Sequence, residues 1–353
     1  MRKSFALFFV FLFTIGTLLA GCSSLPSAKE SLEDSFDKTL EAESYAFDTS
    51  FSLNLSVPEE LVTSYEEQMV FNMLKDAEVN VSGVYQKNPY MIDSEIDVSL
   101  KGALSMNLTV PFVMTENKMW VQVPSIPMAQ LPDGLEGSWI EFDFEELEQL
   151  AAQTGEEVVL PNSDDYELAE EFGKEFTSLL WKHFDEEEYF EVMKGKDTEI
   201  EGIDHAVIFE VKDEQLESTV TTVINDFLPD MLALFGEDKY ADLTGISEED
   251  LEVVKAELEA EKAEIDEAVA ELNETVSINT LEYLHGVNKD GYVSYQKVDV
   301  NLNVNDDFGS ADVGFIIETN SYNFNNVDEN ISTPSGDNVI PFQQLMEFFM
   351  YGY

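Results

Sequence analysis

The sequence predicts an α+β protein in which one antiparallel sheet carries amphipathic helices on one face. Long stretches alternate apolar and polar residues with the period of two of a half-buried strand. Hairpin signals such as Asp290-Gly291 join them, and the intervening segments switch to helical spacing. A doubly wound parallel sheet would alternate strand with helix along the chain, and that alternation is missing.

The N-terminus reads as a processing signal. Arg2 and Lys3 precede an apolar run from Phe5 to Leu18 that is too short for a comfortable membrane span. Leu19-Ala20-Gly21-Cys22 then matches the lipobox read by enzymes that diacylate a cysteine thiol and cut before it. The expectation is a lipoprotein signal peptide over 1–21, a lipidated Cys22 with a tether over 22–28, and a single domain over 29–353. That domain would stand at the extracytoplasmic face of the cell membrane, held by the lipid. Cys22 is the only cysteine, which leaves no disulfide, zinc cluster or thiol catalysis once it is acylated.

The first helix starts at a capping box, Ser27 with Glu30, and repeats Leu32, Phe36 and Leu40 on one face to about Glu43. Tyr45, Phe47, Phe51, Leu53, Leu55 and Val57 then alternate with small polar residues as a strand. Further strands follow at Val79–Tyr85, Tyr90–Leu100 and Leu104–Val110, with a helical insertion at about 58–76 carrying Leu61, Tyr65, Met69 and Met73 on one face. Phe112–Thr115 and Lys118–Val123 form a hairpin about Glu116-Asn117, with Met119 and Val121 on one face and Trp120 on the other, and Trp139–Phe142 follows. Helices are expected at Phe144–Gln153, Tyr166–Phe184 and Leu216–Phe235, with a short hairpin at Glu201-Gly202 between the last two. A second capping pattern at Ser247 opens a long acidic helix over about 248–274, with the narrow stripe Leu251, Val254, Leu258, Ile265 and Leu272. Strands return at Val276–Leu284, Tyr292–Val304 and Asp312–Thr319. The closing segment Ile340–Tyr351 begins helix-like at Pro341 and presents Phe342, Leu345, Met346 and Phe349.

Composition narrows the function. With 44% hydrophobic and 12% aromatic residues the chain can bury a core despite its charge. Its formal charge of −55 becomes −57 once Arg2 and Lys3 are removed with residues 1–21. That balance argues against nucleic acid, whose phosphates need Lys and Arg, and against adsorption to anionic lipid. Acid spread from Glu30 to Glu347 reads as a solvated surface suited to salty or alkaline surroundings.

Catalytic and metal patterns are scarce, and no enzyme activity or cofactor is expected. His183, His205 and His285 are far apart in sequence, without ligand spacing, and read as surface or half-buried residues. Ser35-Phe36-Asp37-Lys38 matches the S-x-x-K of penicillin-recognising enzymes, but S-D-N and K-T-G are absent. Gly286–Lys297 lacks the terminal carboxylates of a calcium loop. No phosphate loop or nucleophile elbow occurs.

The order of signal, lipobox, tether, amphipathic helix, then "SYAFDTSFSLNLSV", "NKMWVQVP…GSWIEFD" and "VNKDGYVSYQKVDVNLNV", resembles Gram-positive envelope lipoproteins similar to the LolA/LolB carrier superfamily and the LppX group. The resemblance implies a strongly curved antiparallel sheet forming an unclosed β-barrel, helices on its concave side, and an acyl chain or lipidated peptide between them. Two function classes follow. A binding lipoprotein would hold a lipid or other apolar ligand against Phe51, Leu53, Tyr85, Ile96, Met106 and Trp120. A structural or interaction lipoprotein would pack the same residues solid.

Overall fold

The computed structural model describes residues 25–351 except 59–63, 76, 102–104, 127–131, 133, 155–162, 307–308 and 328–331. Among the described residues, twelve strands form one sheet: β1 (Ser44–Ser56), β2 (Glu78–Gln86), β3 (Met91–Leu100), β4 (Met106–Thr115), β5 (Lys118–Gln122), β6 (Trp139–Asp143), β7 (Phe190–Lys194), β8 (Ile203–Glu210), β9 (Val276–Asn288), β10 (Val293–Asp306), β11 (Gly309–Tyr322) and β12 (Val339–Pro341). Their order is β12-β6-β5-β4-β3-β2-β1-β11-β10-β9-β8-β7. The fold is the expected α+β class: a mostly antiparallel, strongly curved sheet that does not close, with helices on its concave side. Strand β1 sits in the middle of the sheet, paired with β2 on one side and β11 on the other.

Helix α1 (Ala28–Leu40) begins where the capping box predicts, the Ser27 hydroxyl accepting from the Glu30 amide. It ends at Leu40, three residues earlier than its periodicity suggests, because Ala42 is buried and β1 starts at Ser44. The helix crosses the concave face from β7 and β8 to β10. Leu32 packs with Ala28 and Val207 in one buried cluster, with Trp181, Phe190 and Tyr283 against it. A neighbouring cluster joins Phe184, Tyr189, Phe209 and Val211. Each such side chain contributes about 1.5–3 kcal/mol on burial, so this end of the sheet is where the fold is held most firmly.

Helix α4 (Ser163–Lys182) lies on α1, and the apolar pair α5 (Leu216–Thr222) and α6 (Leu228–Phe235), joined by a π-turn at Val223–Phe227, packs behind it. The acidic helix α7 (Glu248–Thr275) starts on the predicted capping box of Ser247 and Asp250. Leu251 is buried on it, whereas Val254, predicted for its apolar stripe, is 40% exposed. Helix α3 (Phe144–Thr154) and helix α8 (Phe342–Tyr351) contact β6, with the Phe342 ring 5.0 Å from that of Phe142.

Three expectations change. The insertion is a helix, α2 (Tyr65–Leu74), but Met69 and Val70 face solvent instead of the sheet. The break expected near Pro111 is absent, since β4 runs through it. β5 pairs only with Phe112 to Met114, so at Pro111 the strand has a neighbour on one side alone and a missing N–H costs no ladder bond. The pairing of β12 with β6 is parallel and had no local signal.

Among the described residues, no helix is long and apolar enough to cross a membrane. Charge dominates the surface, and a few lysines each serve several acids, as Lys239 does with Glu171 and Glu175. At a formal charge of −55 the folded body repels itself, and about 0.1 M salt screens that repulsion beyond about 10 Å. The melting temperature should therefore rise from low to moderate salt, and a flat or falling scan would contradict this.

Candidate ligand-binding trough

Sheet register sorts the strand residues onto two faces. On β1, Tyr45, Phe47, Thr49, Phe51 and Leu53 share the concave face with Tyr85, Val81 and Val79 of β2 and with Thr319, Ile317 and Phe315 of β11. The same face continues through Ile92, Ile96 and Val98 of β3 and Val110, Leu108 and Met106 of β4. On the other side it passes through Gln296, Val298 and Val300 of β10 to His285, Tyr283 and Leu281 of β9.

Between this floor and the helices lie two apolar cavities that meet at Phe36. The first, about 460 Å³, is lined by Leu32, Phe36, Leu180, Trp181, Tyr283 and Val298 among others. The second, about 470 Å³, is lined by Phe36, Leu40, Tyr45, Phe47, Tyr85 and Ile92, with Thr49 and Thr319. Each is within the size range of small-molecule sites, about 300–1,000 Å³. Phe36 and Gln296 line both, one from the helix above and one from the sheet below. Among the described residues, no lysine, arginine or aspartate lines either cavity. The one acid at the first, Glu282, belongs by strand alternation to the opposite face from Leu281 and Tyr283.

One row of polar residues crosses this floor. His285, Gln296, Thr319 and Thr49 are successive cross-strand partners on β9, β10, β11 and β1. The Thr49 and Thr319 hydroxyls are 3.0 Å apart. The Gln296 amide donates to the Tyr283 hydroxyl at 2.7 Å, and that hydroxyl is 2.9 Å from His285 Nδ1. His285 Nε2 is 2.7 Å from the Ser35 hydroxyl, which donates its own proton to the Ser31 carbonyl at 2.5 Å.

That last bond fixes the polarity of the chain. Ser35 has given away its proton, so His285 Nε2 donates to it, Nδ1 accepts, and Tyr283 supplies the proton to Nδ1. Burial holds the ring neutral, pushing its pKa down to about 3, with His205 adding a smaller effect of the same sign. Burial also pushes Tyr283 up to about 12. In this arrangement His285 holds Ser35 as an acceptor and does not take a proton from it. Lys38, the partner that S-x-x-K would require, instead donates to the Asp290 carbonyl and lies 5.0 Å from the centre of the Tyr292 ring.

His205 meets the preceding turn of α1, its Nε2 2.6 Å from the Ser31 hydroxyl. Asp204 stands 3.4 Å from the other ring nitrogen, but Ser31 is only 4% exposed beneath the helix. The sequence reading of surface or half-buried histidines is corrected for His285, which is 1% exposed, whereas His205 is half-buried as expected, and the two rings clamp successive turns of α1 to the sheet. His183 is elsewhere, 2.9 Å from Asp230. Among the described residues no three His, Cys, Asp or Glu gather as a metal site.

Of the residues predicted to line a pocket, Tyr85 borders the second cavity. Phe51, Leu53, Ile96 and Met106 are on the concave face but farther along the strands, half-buried, with Phe51 stacked on Phe315. Trp120 does not belong with them. It pairs with Val113 on the opposite face and donates its indole N–H to Glu141 at 2.8 Å. Cys22 lies outside the described residues. The residues sequence reading missed are Thr49, Gln296, Thr319 and His285. Their signal was an interruption, since Thr49 breaks the run Tyr45, Phe47, Phe51, Leu53 and Thr319 ends the run Phe315, Ile317.

Fold and site together describe an unclosed α+β half-barrel whose concave face forms an apolar trough plugged by α1. No protein-family model matches the chain, and no curated protein does.

Proposed function

We propose that the protein is a membrane-anchored extracytoplasmic lipoprotein that binds or carries a lipid or other apolar ligand between sheet and helices. The observation behind it is the pair of apolar cavities meeting at Phe36, which a solid core would have filled. The lipobox at Cys22 supplies the anchor, and a lining without basic side chains among the described residues suits an apolar occupant.

A saturable interaction with an environment-sensitive acyl probe tests this reading. Affinity should climb about fourfold per methylene, because each buried CH₂ contributes about 0.8 kcal/mol. Val298→Trp, which adds volume at the first cavity, should displace the probe and leave stability in denaturant unfolding unchanged. If the interior were close-packed, the same substitution would cost about 1–3 kcal/mol in stability and no probe would bind. That outcome would leave the lipoprotein with a structural or interaction role.

A further inference from the structure

We propose that the row His285, Gln296, Thr319 and Thr49 makes the trough selective for acyl ligands whose polar group is an uncharged ester or amide, and against acyl chains that end in an ionised group. The inference rests on the trough being a ligand site.

Four adjacent strands each place one hydrogen-bonding residue on the same line of a largely apolar floor, with Ser321 beside it on β11. All four are neutral, His285 included, because its ring is buried without an acid beside it. Gln296 spends one amide hydrogen on Tyr283, and its carbonyl oxygen and second amide hydrogen have no further partner among the described residues. It also borders both cavities, so a polar group placed there would leave an apolar arm free to enter each. Trp181, beside the first cavity, keeps a buried indole N–H without a partner among the described residues, a donor suited to a carbonyl oxygen.

An ionised carboxylate or phosphate meets the opposite conditions. Desolvating it demands a cation or several charge-directed donors, and among the described residues no Lys or Arg lines either cavity. A net charge of −55 adds a repulsive field on approach. An ester or amide carbonyl loses far less on leaving water and regains it from Gln296, the threonine hydroxyls or Trp181.

Displacement measurements can separate this from the broader reading. The full chain, held in a fluorinated surfactant that does not mix with hydrocarbon, is loaded with the methyl ester of dansyl-undecanoate. Monolaurin, lauramide and laurate then compete at pH 8, all three having the same number of acyl carbons. Monolaurin and lauramide should displace the probe at least tenfold more strongly than laurate. Gln296→Leu and the near-isosteric Thr319→Val should each narrow that gap several-fold, with a thermal melt confirming that the variant is folded; two variants guard against loss of fold in one. Laurate displacing as well as monolaurin, or a gap unchanged in both folded variants, would overturn the selectivity while leaving ligand binding intact. Failure of every ligand and of the probe to bind would overturn the binding reading and the selectivity with it.

Discussion

A palmitate analogue fed to a bacterial host expressing the chain should label it, and Cys22→Ala should abolish that label completely. The effect is all-or-none for a chemical reason. A thioether to a diacylglyceryl group needs a sulfhydryl, and Cys22 is the only cysteine in 353 residues. Serine at the same place would be the sharper control, since Cys22→Ser keeps size and polarity yet offers an oxygen that the lipobox chemistry does not use. The substitution should also move the protein from the membrane fraction to the medium, or leave the precursor uncut. Residual label in Cys22→Ala would place the lipid elsewhere and remove the anchor from the proposal. So would an unlabelled wild type.

How much of this was legible depends on which interaction decides each feature. Strand and helix periodicity is local, so α1, β1 and the capping box of α7 could be read from the chain, as could the hairpin at Asp290-Gly291, where Gly291 takes φ +83. Which strands are neighbours is not local. The pairing of β1 with β11 joins Ala46 to Tyr322 across most of the chain, and the parallel pair β12–β6 depends on where α8 docks. Burial of the insertion helix failed for a related reason, because a stripe such as Tyr65, Met69 and Met73 records spacing, while packing depends on what the fold brings opposite it.

The trough was half legible. Alternation correctly assigned Phe51, Leu53, Tyr85, Ile96 and Met106 to one face, and the same rule, applied strictly to Lys118–Val123, would have removed Trp120 from the lining. What alternation cannot supply is where helix α1 crosses that face. The crossing is set by Ser31 and Ser35, one turn apart, meeting His205 and His285 on neighbouring strands. Neither pairing has a sequence signal, because 174 and 250 residues separate the partners. The polar row was visible only as exceptions to an apolar pattern, and exceptions gain meaning when register aligns them.

Acid should loosen the same clamp, and His285→Gln should isolate the effect. The ring titrates near 6.5 in the unfolded chain and is held down to about 3 in the fold by burial. Between those values the unfolded state takes up a proton that the native state refuses, so stability is fully present above about pH 6.5 and is lost as pH falls toward 3. The slope is at most about 1.4 kcal/mol per pH unit for one group. Carboxylates act in the opposite sense, because protonating a few of them relieves the repulsion of the acidic surface. Comparing pH 7.5 with pH 5, where most ordinary carboxylates remain ionised, limits that contribution and keeps it common to both proteins.

In His285→Gln the side-chain amide can still reach Ser35, no titrating ring remains at that position, and the acceptor for Tyr283 is lost at every pH, a constant cost of about 1 kcal/mol. Denaturant unfolding should therefore show wild type losing about 2 kcal/mol more than the variant between pH 7.5 and pH 5. Because α1 roofs both cavities, an acyl probe should also leave wild type faster at pH 5 than it leaves His285→Gln. Equal pH sensitivity in the two proteins would mean that His285 is neutral for reasons that do not couple to folding, and that α1 is held down chiefly by Leu32 and Phe36.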